Sequence, residues 1–116
     1  MAEILQEGYS DLRTYIESNW QYIELQNDEG NSIVRLSPTD SRVQWTHSTG
    51  DQVLKLQVVV KGSDSDIASE TTFGQSAIYK TSSGGNPISV ESFTPFTIES
   101  EDDELTVIHS IEVPKV

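Results

Sequence analysis

The chain has 116 residues, of which 19 are acidic and 7 basic, for a formal net charge of −12, and it contains no cysteine. That length suits one domain burying roughly two-thirds of its unfolded surface, enough for a two-layer core without metal or disulfide staples. Binding to nucleic acid or to an anionic membrane needs a cationic face that this composition does not supply. The longest aliphatic run, "VVV" at 58–60, is far short of the roughly 20 residues of a bilayer span.

The N-terminus, "MAEILQEGYS", carries acidic residues and only a brief apolar patch, so no export signal is expected and a cytoplasm is the expected place of synthesis. Residues 1–9 read as an N-terminal arm. Helical periodicity is confined to "YSDLRTYIESNW", where Leu12, Tyr15 and Ile16 fall at i, i+3 and i+4. Ser10 as N-cap and Asp11 in the first turn predict a short helix over 10–19, ended by Asn19 in a left-handed conformation. A helix so short must pack on something.

From Trp20 to residue 114 the apolar period is two. "WQYIEL" alternates, "NDEGN" has the composition of a hairpin loop, and "SIVRL" follows before a "SPTD" turn. "RVQWTH" puts Val43 and Trp45 on one face, and "STGD" turns the chain into "QVLKLQVVVK". There Leu54, Leu56, Val58 and Val60 share a face opposite Lys55, Gln57 and Lys61. The polar stretch "GSDSDIASETTFG" reads as a loop, "QSAIYKT" as a strand, and "SSGGN" as a bend. In "PISVESFTPFTI", Pro95 lacks an N–H and so implies an edge strand or a bulge. The last strand, "ELTVIHSIEV", rows up Leu105, Val107, His109, Ile111 and Val113. About seven strands with frequent turns predict a mainly β domain, an antiparallel sandwich or partly closed barrel with one short N-terminal helix.

The densest charge feature is "ESEDDE" at 99–104, five carboxylates in six positions. Glu101, Asp102, Asp103 and Glu104 lack the D-x-[DN]-x-[DN]-G spacing that wraps ligands around calcium, so the stretch reads as the outer bend of a hairpin. Asp64 and Asp66 are too few to hold an ion and read as a solvated loop. His47 is expected to be exposed beside a turn. His109 is expected to be hydrogen-bonded in the core or at a subunit interface, where its titration would make assembly acid-sensitive. Two histidines without cysteine or metal-ligand spacing assign no zinc. With no G-x-S-x-G elbow, cysteine nucleophile or phosphate-cradling loop, no catalytic residue, metal ligand or cofactor is assigned, and the chain is expected not to be an enzyme. Trp20, Tyr22 and Trp45 fall close together in the strand pattern, where core packing, interface anchoring and a glycan platform are the available uses.

Ala77, Ile78 and Tyr79 on a strand, the Gly84–Gly85 turn, Phe93, Pro95, Phe96 and Thr97, an acidic bend and the final "DELTV" strand make up a connected layout. It covers about 40 of the 116 residues and resembles small virion structural proteins of tailed bacteriophages and prophages. The resemblance implies a non-enzymatic component of the virion, foremost a decoration or cement protein on the capsid, oligomeric, with the major capsid protein or other virion proteins as partners. A tail-tip, baseplate or fibre module fits the same layout, and a carbohydrate-binding β-sandwich is the alternative from another class. On this reading Ile4, Leu5 and Tyr9 in the arm, with Trp20 and Trp45 as aromatic anchors, are the candidate partner contacts. No nucleic acid or membrane is implied.

Overall fold

The computed structural model describes residues 1–114. The period-two rows resolve into β1 (Tyr22–Gln26), β2 (Ser32–Leu36), β3 (Val43–Trp45), β4 (Val53–Lys61), β5 (Thr71–Tyr79), β6 (Ser89–Ile98) and β7 (Glu104–Glu112), preceded by one helix, α1 (Gln6–Asn19). They form two antiparallel sheets, ordered β2-β1-β5-β6 and β3-β4-β7. The domain is therefore mainly β with an N-terminal helix, as the sequence predicts, and its sheets face each other without closing into a barrel.

The core lies between the inner rows. Ile23, Leu25, Phe73, Ile78 and Ile98 from the larger sheet meet Leu56, Val58, Val60 and Val107 from the smaller one. In β4, Leu54, Leu56, Val58 and Val60 are buried while Lys55 and Lys61 stay exposed, so its alternation survives unchanged. Each such side chain contributes about 1.5–3 kcal/mol relative to exposure. Strand β1 departs from that rule, because Glu24 and Gln26 on its other face are also buried. Glu24 accepts hydrogen bonds from Gln26 Nε2 (2.6 Å), Ser32 Oγ (2.9 Å) and Arg35 Nε (3.3 Å). The Arg35 guanidinium lies 3.5 Å from the centre of the Tyr79 ring. Burial alone would raise the Glu24 pKa, but hydrogen bonds from Gln26 and Ser32 and the charge of Arg35 outweigh it and hold the carboxyl below its usual range.

Three connections are hairpins: β1–β2 through residues 27–31, β3–β4, and β5–β6. Asn27 Oδ1 accepts from the N–H groups of Glu29 and Asn31, both at 2.9 Å, and Gly30 supplies the positive φ that closes the first turn. Residues 37–42, 62–70 and 99–103 instead carry the chain from one sheet to the other. The acidic bend is thus a crossing and not the hairpin predicted, because β6 pairs with β5 and β7 with β4. Asp103 shapes it, accepting from Glu99 N (2.7 Å) and Ser100 N (3.1 Å).

Pro95 behaves as its missing N–H requires. Strand β6 is a sheet edge, and its register jumps from Phe73↔Phe96 to Gln75↔Ser92, so residues 93–95 bow out opposite Gly74. Ile98 O accepts from Glu70 N; by strand alternation position 95 then points away from β5, where no ladder bond is lost.

The helix begins four residues before the predicted start. Leu5 is its N-cap, Tyr9 N donates to Leu5 O (3.1 Å), and Glu7 sits in the first turn, where the helix dipole favours a negative charge. Only residues 1–5 precede it, so the expected arm over 1–9 is half helix. Ser10 lies inside the helix, and its carbonyl accepts from Thr14 Oγ1. Asn19 ends the helix by donating Nδ2 to Tyr15 O (2.9 Å), without the left-handed turn expected of it.

Candidate functional site

Two ends of the domain differ in chemistry, and the β4–β7 ladder sets how far apart they lie. It runs from Val53↔Glu112 to Lys61↔Glu104.

Helix α1 covers the first end. Ile16, Leu54 and Val113 form a small buried cluster there, with Tyr9, Trp20, Trp45 and Ile111 packed against it. Arg13 is buried and its Nη2 donates to the carbonyls of Val113 (3.3 Å) and Pro114 (2.7 Å), tying the helix to the end of the last strand. His47 is held there too. Its Nδ1 accepts from Lys55 N (3.0 Å), so its Nε2 is left to donate to Glu17 Oε1 (3.0 Å). Its side chain is only 3% exposed, against the expectation of an exposed histidine. Glu17 on the helix covers it, and the Trp45 ring stands 5.4 Å away edge-on.

The outer face of the same helix is uncovered. Ile4 is 50% exposed, Leu5 62%, Leu12 42% and Tyr15 47%. At helical spacing 5, 8, 12 and 15 share one face beside the packed stripe of 9, 13 and 16. Gly8 lies in this row, and a Cβ there would stand 2.7 Å from Ile4 Cγ2, so its absence lets Ile4 fold onto the first turn. The other flank is polar, with Gln6, Glu7, Ser10, Asp11, Thr14 and Ser18.

The five residues singled out for partner contact therefore separate. Ile4 and Leu5 stay exposed, while Tyr9, Trp20 and Trp45 are half-buried and pack against the small cluster. The two indoles, each half-buried, also pack against the main core. Leu12 and Tyr15 were expected to pack and instead join Ile4 and Leu5. The signal that finds them is the second stripe, visible once the helix is extended back to Gln6.

The opposite end is acidic. Residues 62–70 and 99–104 meet there: Gly62 N donates to Asp103 O (2.9 Å), and a Cβ on Gly62 would lie 1.9 Å from Ser100 O. Asp64 and Asp66 are not a free solvated pair. With Asp40 they surround Arg42, at 3.2 Å, 2.8 Å and 2.9 Å. Hydrogen bonds from Arg42 hold the carboxyls of Asp40 and Asp66 below their usual range, against the opposing effect of burial. The cluster brings its own cation and remains net negative. Among the described residues no group of three or more acidic or histidine side chains is arranged to hold a metal ion. None of the carboxylates at 99–104 has an ion-pair partner among the described residues.

His109 is fully enclosed in the core. Its Nδ1 lies 2.7 Å from Ser76 Oγ and its Nε2 2.8 Å from Ser89 Oγ, so it ties β7 to both β5 and β6 of the other sheet. Of the two roles expected, the hydrogen-bonded core histidine is the one observed. No protein-family model, curated protein or solved structure matches the chain.

Proposed function

We propose that this protein is a non-enzymatic structural component of a virion, a decoration protein that docks on a capsid through the outer face of α1. One observation carries the reading: Ile4, Leu5, Leu12 and Tyr15 form an uncovered apolar stripe on a helix whose inner face is already packed. Apolar patches of this kind, rimmed by polar residues, mark interaction surfaces. The virion as the setting comes from the sequence resemblance.

The two ends suit that role. The nine-residue ladder separates the α1 end from the acidic bend by roughly 27 Å at 3.3–3.4 Å per residue. A copy seated by the helix turns its carboxylates away from the shell, where they repel neighbouring copies and free protein. Each contact is shallow, and retention on the particle comes from many copies and from oligomerisation.

Purified particles of the phage or induced prophage encoding the chain provide the test. Quantitative mass spectrometry should find the protein in many copies per particle, and antibody labelling should place it on the head. Its absence from particles would overturn the proposal, and labelling confined to the tail would move it to a tail component.

A further inference from the structure

The two sheets also border each other along β6 and β7, away from the α1 face. Strands β6 and β7 are edges of separate sheets. They are pinned together at one end by the 99–103 crossing and at the other by two contacts, Ser89 Oγ–His109 Nε2 (2.8 Å) and Ser110 N to Glu91 Oε1 (3.1 Å). Between these pins the bulge at 93–95 holds β6 off β7. A groove of about 500 Å³ opens there, with Phe93, Pro95 and Phe96 on one wall, Leu105 and Ile108 on the other, and Glu91 at one end. Phe96 is 38% and Ile108 42% exposed, large apolar side chains that the fold itself leaves uncovered.

The β7 wall also has free backbone. Val113 N donates across to Gln52 O and Ser110 N points the other way, to Glu91. By alternation the N–H and C=O groups of Thr106 and Ile108 face the groove, away from β4. Among the described residues no ladder joins β6 to β7 to satisfy them. A row of unpaired backbone groups beside apolar pockets is the arrangement that receives an extended segment as an added strand.

Charge selects the occupant. The groove runs from Glu91 to Phe96 and Leu105, and beyond that end Glu99, Glu101 and Asp102 of the crossing and Glu104 at the start of β7 are without ion-pair partners among the described residues. A second copy of this chain, at −12, brings more negative charge to the same place. We infer that the β6–β7 groove binds an extended segment of a partner protein in which apolar residues alternate with lysine or arginine. The apolar side chains enter between Phe96 and Ile108, the segment backbone pairs with Thr106 and Ile108, and the cations lie along the acidic rim. This site is independent of the α1 face and lies toward the other end of the domain.

The test uses fluorescein-labelled octapeptides and the whole protein, read by fluorescence anisotropy at low and at physiological salt. A peptide alternating lysine and valine should bind, and its affinity should fall as salt rises. Peptides alternating glutamate with valine, or lysine with serine, should each bind at least about tenfold more weakly, since one loses the charge match and the other the apolar anchors. Ile108→Lys alters an exposed side chain in the groove and should weaken the lysine–valine peptide by at least about tenfold. Glu101→Gln with Asp102→Asn, which leaves the groove walls untouched, should lower affinity and flatten the salt dependence. Equal binding of all three peptides would overturn the inference, as would binding indifferent to both variants. A dimer of the protein alone that Ile108→Lys dissociates would also overturn it, by giving the groove to a second copy.

Discussion

Replacing His109 by glutamine, read against pH, tests whether the imidazole between the sheets is the acid-sensitive element of the core. Its enclosure lowers its pKa from the ordinary 6.5 to about 4, because a charged imidazolium there loses its hydration and meets only the hydroxyls of Ser76 and Ser89. The folded-state pKa lies below the unfolded one, so between the two the unfolded chain holds the extra proton and stability rises with pH. The contribution is complete above about pH 6.5 and is lost as the pH falls toward about 4. From about pH 7.5 to about pH 5 the loss is about 2 kcal/mol. The carboxyls of Glu24, Asp40 and Asp66 are held below their usual range, so their contributions persist through this window and disappear only at more acid pH. Urea unfolding followed by tryptophan fluorescence should show the wild-type midpoint falling by about 1.5 M over the window. His109→Gln keeps polar atoms for the two hydroxyls but cannot titrate, and its midpoint should fall far less. Equal slopes in the two proteins would refute the reasoning.

Further outcomes follow from other contacts. Gly62→Ala drives a Cβ into Ser100 O and should cost about 2–3 kcal/mol, whereas Gly50→Ala, in open space at φ +86°, should cost only about 1 kcal/mol; thermal melts compare the two. Arg42→Met leaves Asp40, Asp64 and Asp66 without their cation, which should lower stability by about 1–2 kcal/mol in these partly solvated surroundings, with part of the loss recovered in high salt. Leu12→Ser with Tyr15→Ser alters exposed side chains and should change unfolding free energy by no more than about 0.5 kcal/mol per site.

The strands were legible because burial here follows local alternation: β4 and β7 show in the sequence the rows they bury. Pro95 announces an edge or a bulge through the chemistry of one missing N–H, and β6 has both. What stayed hidden depends on partners distant in the chain. The acidic stretch looks the same whether it closes a hairpin or crosses between sheets, and only the pairing of β6 with β5 and of β7 with β4 decides. The covering of His47 requires Glu17, 30 residues earlier, and the Arg42 cluster requires Asp64 and Asp66 from a loop beyond β4. The sequence pattern shortens helix α1 because Leu5 caps it without a side-chain hydrogen bond and Gly8 interrupts its propensity. That missing first turn bears most on the site. Without its first turn, the stripe of Leu5, Leu12 and Tyr15 cannot be told from the one that packs through Tyr9 and Ile16.

Binding of the Leu12→Ser, Tyr15→Ser double variant to particles stripped of the wild-type protein tests the proposed docking through α1 most directly. Co-sedimentation should show saturable binding of the wild type and loss of most of that binding in a variant whose melting curve is unchanged. Retention of the folded double variant at wild-type occupancy would contradict the account.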